Sequence, residues 1–287
     1  MPVDAKFIIK CGKRGSGKTN KTIDQLHRSV NEKRRKVLIF DIQNEFGNYL
    51  YRRDPEQRIG YKTMELRHVA RYSLQTIPEI RRLIPFDENG NPFGTDELIE
   101  NLIYVFNNYR NGVLLAEDFS SLITDSMPGD IFGKLCTLRQ RGVDVVAHFQ
   151  LVGKAAHPKI ISSVNAIYLH KTEDSVRRYL DRFLEKSEIM MLAENIVEGR
   201  YRYGMKNSVY NEKGIYFNVQ VDIDKMKIHG IFTKDEAHHC AKLLVDELKY
   251  GDKNFKKRDE HGNKKYNNYA HAFSVEVDRL MDDYFCF

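Results

Sequence analysis

The sequence predicts an α/β fold built on a mostly parallel central sheet flanked by helices. Short, wholly apolar runs recur along the chain, stretches with helical spacing separate them, and a glycine-rich string joins the first run to the first helical stretch. The last third changes character, with alternating patterns such as RYRY and IYFNVQVDI that suit antiparallel strands. The expected organisation is a core over residues 1–190 and, over 191–287, an appendage of β-hairpin, helix and basic tether.

FIIK, at 7–10, is the first expected strand, and Ile23, Leu26 and Val30 follow the glycine-rich string at helical spacing. VLIF, at 37–40, is apolar throughout, as a strand buried on both faces must be, and it ends in Asp41. Residues 50–94 mix a basic pair, Arg52 and Arg53, with a short strand signal at 80–84 and a turn signal, DENGNP; the region as a whole is left unassigned. Thr95 is a suitable N-cap for a helix carrying Leu98, Ile99, Leu102, Ile103 and Phe106, which stops near Asn111 and Gly112. VLLA follows as a strand, then a helix over 130–139, the strand VDVVAHF and the strand NAIYLH. A helix over 174–186 precedes antiparallel strands within 197–228. A capping box of Thr233 and Glu236 opens a helix that reaches about residue 250, a lysine-rich solvated tether follows, and an amphipathic end covers 273–284.

At 287 residues and 41% hydrophobic content the chain can bury one substantial core. It lacks the long apolar run of a membrane span or secretory leader, so a soluble, intracellular protein is expected. A net charge of +6 suits a polyanionic partner without requiring one. The four cysteines, Cys11, Cys136, Cys240 and Cys286, have neither metal-ligand nor redox spacing.

Gly12, four residues, then Gly17, Lys18 and Thr19 match the P-loop pattern, and the strand before and helix after are the context that pattern needs. Glycines let backbone N–H groups turn inward around phosphates, and the following helix points its positive end at them. Gly12, Lys13, Arg14, Gly15, Ser16, Gly17, Lys18 and Thr19 are therefore the expected ATP-binding residues, with Lys18 on the outer phosphates and Thr19 on Mg²⁺. VLLAEDF sets Glu117 and Asp118 at the end of an apolar strand, where carboxylates meet the metal and orient the attacking water. The expected metal contacts are Thr19, Glu117 and Asp118. A strand between the loop strand and this one, and an acid beside the metal ligand, suit ATPases that activate water with a carboxylate.

From these motifs, taken in order over about residues 3–185, the chain resembles the FtsK/HerA superfamily of DNA-pumping ATPases. VLIFDIQNEF is similar to the family's strand ending in Asp, with Glu45 and an aromatic behind it, which implies that Asp41 and Glu45 flank the nucleotide. RQRGVDVVAHFQ resembles the family's arginine, glycine and apolar strand ending in glutamine. The resemblance implies a RecA-like P-loop core, Arg139 as a finger reaching a neighbouring subunit's site with Arg141 as its rival, and Gln150 as sensor of the terminal phosphate. Asn165 stands in the family's polar position. The family reads Asp then Glu where this chain has Glu117 then Asp118; by position Glu117 would approach the metal and Asp118 polarise water, and only the pair is assigned.

The resemblance implies an ATP-hydrolysing translocase of double-stranded DNA, assembled head to tail as a homo-oligomeric ring, with a hexamer expected. Little chain precedes the first strand, so it looks most like the compact genome-packaging ATPases of tailless, often membrane-containing viruses. That implies a capsid vertex partner, no integral membrane segment, and a location in the host cytoplasm or virion. An ATPase for plasmid mobilisation or filamentous-phage export is the alternative, and a non-hydrolysing nucleotide-binding structural component is a third reading. Lys154, His157 and Lys159 are candidates for DNA phosphate contact. DEAH, at 235–238, copies a helicase motif without an apolar strand before it and is read as part of the capping box.

Overall fold

The computed structural model describes residues 5–48, 61–84, 86–87, 89–122 and 129–287, the side chains of 129, 130, 132 and 136 excepted. The pair Arg52 and Arg53 lies outside the described residues. The chain divides into two compact units, Met1–Asn165 and Ala166–Phe287.

The first unit contains β1 (Phe7–Cys11), α1 (Lys18–Asn31), β2 (Lys36–Phe40), β3 (Lys62–Met64), α2 (Val69–Leu74), β4 (Ile80–Leu83), α3 (Thr95–Asn108), β5 (Gly112–Ala116), α4 (Gly129–Gln140), β6 (Val143–Phe149) and the short α5 (Val152–Ala155) and α6 (Pro158–Ile161). Its strands run parallel in the order β3-β4-β2-β5-β6-β1. Because the pairing is parallel, the segments that leave β1, β2, β5 and β6 emerge at one edge of the sheet, the edge where open α/β sheets bind ligands. Every residue of β2 and β5 is buried, which explains their unbroken apolar runs. Ile23, Leu26 and Val30 of α1 pack on Val37, Ile39, Val113, Leu115 and Val146 of the sheet. Fully burying a side chain such as Leu26 stabilises the fold by about 2 kcal/mol.

The unassigned stretch supplies two strands, β3 and β4, which extend the parallel sheet. β3 is too short and too exposed to show a period. Tyr72 explains part of the order here: its hydroxyl donates to Glu79 O at 2.8 Å and Val37 O at 3.0 Å, pinning α2 beside β2 and the entry to β4. The helix expected at Thr95 forms, with Gly94 as its N-cap and Glu97 accepting the Gly94 N–H at 2.8 Å.

The second unit holds β7 (Ala166–His170), α7 (Leu180–Phe183), α8 (Ser187–Asn207), β8 (Asn218–Asp222), β9 (Lys227–His229), α9 (Lys234–Glu247), α10 (Tyr250–Phe255) and α11 (Tyr269–Tyr284). β8 pairs antiparallel with both β7 and β9, so the antiparallel element is present. It is shorter than expected, because RYRY belongs to the end of α8. Ile189, Ala193, Ile196, Val197 and Gly204 form the buried helical stripe there, and the aromatic–basic alternation of 200–203 imitates a strand only locally. The expected helix over 174–186 is broken into short turns, with Leu184 at φ 51° separating α7 from α8. In the lysine-rich tether the lysines are exposed, yet the segment is anchored. Asn254 is buried and donates to Glu276 at 2.6 Å, and Tyr266 is buried beyond it.

Candidate nucleotide site

β1 ends at Cys11, and the chain turns through Gly15 and Gly17, both at positive φ (74° and 85°), before α1 begins at Lys18. Only glycine takes these angles without cost, which is why the spacing of the motif is fixed. The first turn of α1 carries no side-chain cap and no acid, leaving its N–H groups and positive dipole end for an anion. Lys18 is buried, and its ammonium donates to Gly12 O and, at 3.0 Å, to Lys13 O, curling over the loop it closes. Burial pushes Lys18 below its ordinary pKa, opposed by the negative charges of Glu117, Glu45 and Asp118, which places all three acids within its electrostatic reach.

Glu117 leaves β5 with its N–H donated to Phe40 O at 3.1 Å, and its side chain is buried. One carboxylate oxygen lies 2.6 Å from His148 Nδ1. Burial alone would raise the Glu117 pKa, but His148 and then Lys18 outweigh it and hold the carboxylate below its usual value. Asp118 takes the left-handed conformation at φ 43°, which Asp tolerates better than most residues. Its carboxylate accepts from Ser120 Oγ at 2.8 Å, from Gln150 Nε2 at 3.2 Å and from Gln43 Nε2 at 3.4 Å. Gln150, at the end of β6, therefore meets the acidic pair at the edge where the P-loop opens.

Asp41 serves the architecture of this edge. Its carboxylate accepts the N–H groups of Glu45 at 2.9 Å and Phe46 at 3.1 Å and pairs with Arg82 at 3.0 Å. Burial raises Asp41 to about 6 against the pull of Arg82. Glu45 is also raised, first by burial and then by Glu117, and it lies 3.9 Å from Arg14 of the loop.

The predicted arginines are not in this group. Arg139 donates to Ala5 O at 3.1 Å and Ser163 O at 3.4 Å, at the far end of β1, about 20 Å from the loop by strand rise. Arg141 caps α3 through Phe106 O at 2.7 Å and Asn107 O at 2.5 Å. Asn165 accepts the Phe7 N–H at 2.9 Å, a structural bond at the start of β1. DEAH lies in the first turn of α9, where Glu236 accepts the Thr233 N–H at 2.8 Å in the expected capping box. Sequence reasoning missed His148 and Arg82. The signal for His148 was a polar residue within the buried apolar stretch 145–149 of β6.

The donor set fits Mg²⁺ bound with a nucleotide. Magnesium keeps several waters and takes one or two carboxylates plus phosphate oxygens, rather than a protein cage. Thr19 at the start of α1 with Glu117 and Asp118 is such a set, and among the described residues no group of three or more His, Cys, Asp or Glu could hold a metal alone. Among them, too, no helix is long and apolar enough to cross a membrane.

No protein-family profile matches the chain, and no curated protein matches it in sequence. Its fold is similar to that of the genome packaging NTPase B204 from Sulfolobus turreted icosahedral virus 2, solved in complex with ATP-gammaS. That structure is 12% identical, with TM-score 0.51 over 79% of this chain and 96% of the other. The same NTPase in complex with sulfate gives TM-score 0.50 at 12% identity, over 79% and 95%. The conjugation coupling protein TcpA of pCW3, in monomer form with ATPgS, gives only 0.39 at 11% identity, over 64% of this chain and 53% of the other. At 12% identity the likeness to the packaging NTPase establishes a fold: mixed α/β with a mostly parallel sheet flanked by helices, the P-loop NTPase fold that the FtsK/HerA resemblance implied.

Proposed function

We propose that this chain is an ATPase that drives double-stranded DNA, and that its task is packaging a viral genome. The observation that carries the reading is the convergence of the P-loop, Glu117, Asp118 and Gln150 at one edge of a parallel sheet. The fold shared with a packaging NTPase supports the choice of cargo. In this reading the loop N–H groups and Lys18 hold the triphosphate, and Thr19 with the acidic pair holds Mg²⁺, which would offset charge on the phosphate oxygens. Asp118, braced by Ser120 and Gln150, or Glu117, braced by His148, orients the attacking water.

Arg139, remote from its own site, serves a neighbour's site in a head-to-tail ring, taken as a hexamer. Lys154, His157 and Lys159, on the segment after β6, face the DNA, and a capsid vertex protein docks the ring. The chain works in the host cytoplasm or on the virion.

The test is Mg²⁺-dependent ATP turnover with and without double-stranded DNA. Turnover should rise severalfold with DNA and vanish in Lys18→Ala. Arg139→Ala should bind nucleotide yet lose about 10³-fold in turnover. Mixing it with a chain carrying Glu117→Gln and Asp118→Asn should restore activity. Equal turnover in Lys18→Ala contradicts catalysis at the loop, and failure of the mixture contradicts the shared site.

A further inference from the structure

His148 is the penultimate residue of β6, its neighbours Val145, Val146, Ala147 and Phe149 are buried and apolar, and it is only 1% exposed itself. A polar ring there costs stability unless both nitrogens are satisfied. Its Nε2 lies 2.7 Å from the hydroxyl of Thr22, and its Nδ1 lies 2.6 Å from Glu117. Thr22 is fully buried on α1, and the same hydroxyl contacts Lys18 O at 3.0 Å. One continuous path thus runs from the backbone of the P-loop lysine, through Thr22 and His148, to the carboxylate at the end of β5.

We propose that His148 is a positioning residue that clamps Glu117 to the P-loop helix; the proposal rests on the ATPase reading above. A glutamate has three side-chain torsions, so burial alone leaves its oxygens free to turn between lysine, metal and water. The carboxylate only accepts, so Nδ1 faces it as the proton-bearing nitrogen; the 2.6 Å contact is a close polar approach without hydrogen-bond alignment, and it holds one oxygen while leaving the other to the site. Thr22 holds the ring at its opposite nitrogen, so the acid keeps its place relative to the helix that carries Lys18. Partners of this kind change metal affinity or activity about 10–100-fold when removed.

The experiment uses the full chain and measures ATP turnover across a Mg²⁺ titration, together with ATPγS affinity. The variants are His148→Phe, His148→Asn, His148→Gln and Thr22→Val, with the parent and Lys18→Ala as references. His148→Phe is expected to lower kcat about 10–100-fold and to raise the Mg²⁺ needed for half-maximal rate. Its KM and ATPγS affinity should stay within about threefold, a split that a general loss of structure would not give. The Asn amide lies where Nδ1 does and should recover part of kcat; the Gln amide lies where Nε2 does and should not. Thr22→Val should fall between Asn and Phe. A His148→Phe chain within twofold of the parent overturns the proposal, as does a parallel fall of kcat and nucleotide affinity. If Phe does not fold, Gln turning over as fast as Asn overturns it. In each case the ATPase reading stands if the parent turns over and Lys18→Ala does not, whereas a parent without turnover removes both.

Discussion

Lys10 lies on β1, in register with His148 and just before the strand ends at Cys11. Burial drives its ammonium from the ordinary 10.5 to about 7, with Lys21 and Arg28 pushing the same way and Asp24 and Glu117 opposing. Between those two values the folded chain binds fewer protons here than the unfolded chain, so this group's contribution to stability rises with pH. Below pH 7 the lysine is charged in both states and its penalty is complete. Lys10→Met removes the penalty while keeping the side chain's length. It should stabilise the chain by up to about 4 kcal/mol at pH 7, with the gain shrinking by about 1 kcal/mol per pH unit towards pH 9. Urea unfolding of both chains at each pH checks this, and a gain that does not change with pH contradicts it. The same burial that makes Lys10 titrate near neutrality hid it from sequence reading, since FIIK looks like an ordinary strand with a solvated end.

Among the elements, α8 shows most plainly where periodicity misleads. Its last turns pack against the segment that follows: a Cβ on Gly204 would lie 2.6 Å from Ile215 N and 2.8 Å from Gly214. Gly199, one turn and a half earlier, has nothing within 4 Å of that position. Gly199→Ala should therefore stabilise the helix by about 0.5–1 kcal/mol through backbone entropy. Gly204→Ala should destabilise by ~2 kcal/mol through overpacking, against its better helix propensity. Thermal melts of the two variants should move in opposite directions; a Gly204→Ala chain that melts above the parent contradicts the packing of α8 on residues 209–215. The P-loop and VLLAEDF were legible because strand, loop and helix are adjacent in sequence and each residue type has a local duty. β4 forms where the short strand signal at 80–84 stood, whereas β3 and the contact of Thr22 with His148 were not legible, because they depend on partners far along the chain. Leu184, at its positive φ, interrupts what the sequence presents as one helix, and nothing in its side chain announces that.

For the whole molecule, the chain's contacts separate it after Asn165, so the sheet-edge site belongs to the first unit, and the expected boundary at 190 falls inside α8. The sequence suggested a later boundary because NAIYLH reads as one more strand of the alternating series, although β7 belongs to the second unit, where it pairs antiparallel with β8. Every residue proposed to touch ATP lies in the first unit. Arg139 also lies there, but at the opposite end of β1 from the loop, where it donates to Ala5 O and Ser163 O. In the proposed ring, a single chain would grip the nucleotide and the neighbour's Arg139 would speed its hydrolysis.

Gripping is the part on which all else depends, and an equilibrium titration of the parent and Lys18→Ala with ATPγS in the presence of Mg²⁺ measures it directly. The parent should bind saturably, one nucleotide per chain, and loss of the charged donor in Lys18→Ala should weaken binding by about tenfold or more. A parent chain with no affinity for the nucleotide, or a Lys18→Ala chain that binds it equally well, would contradict the account.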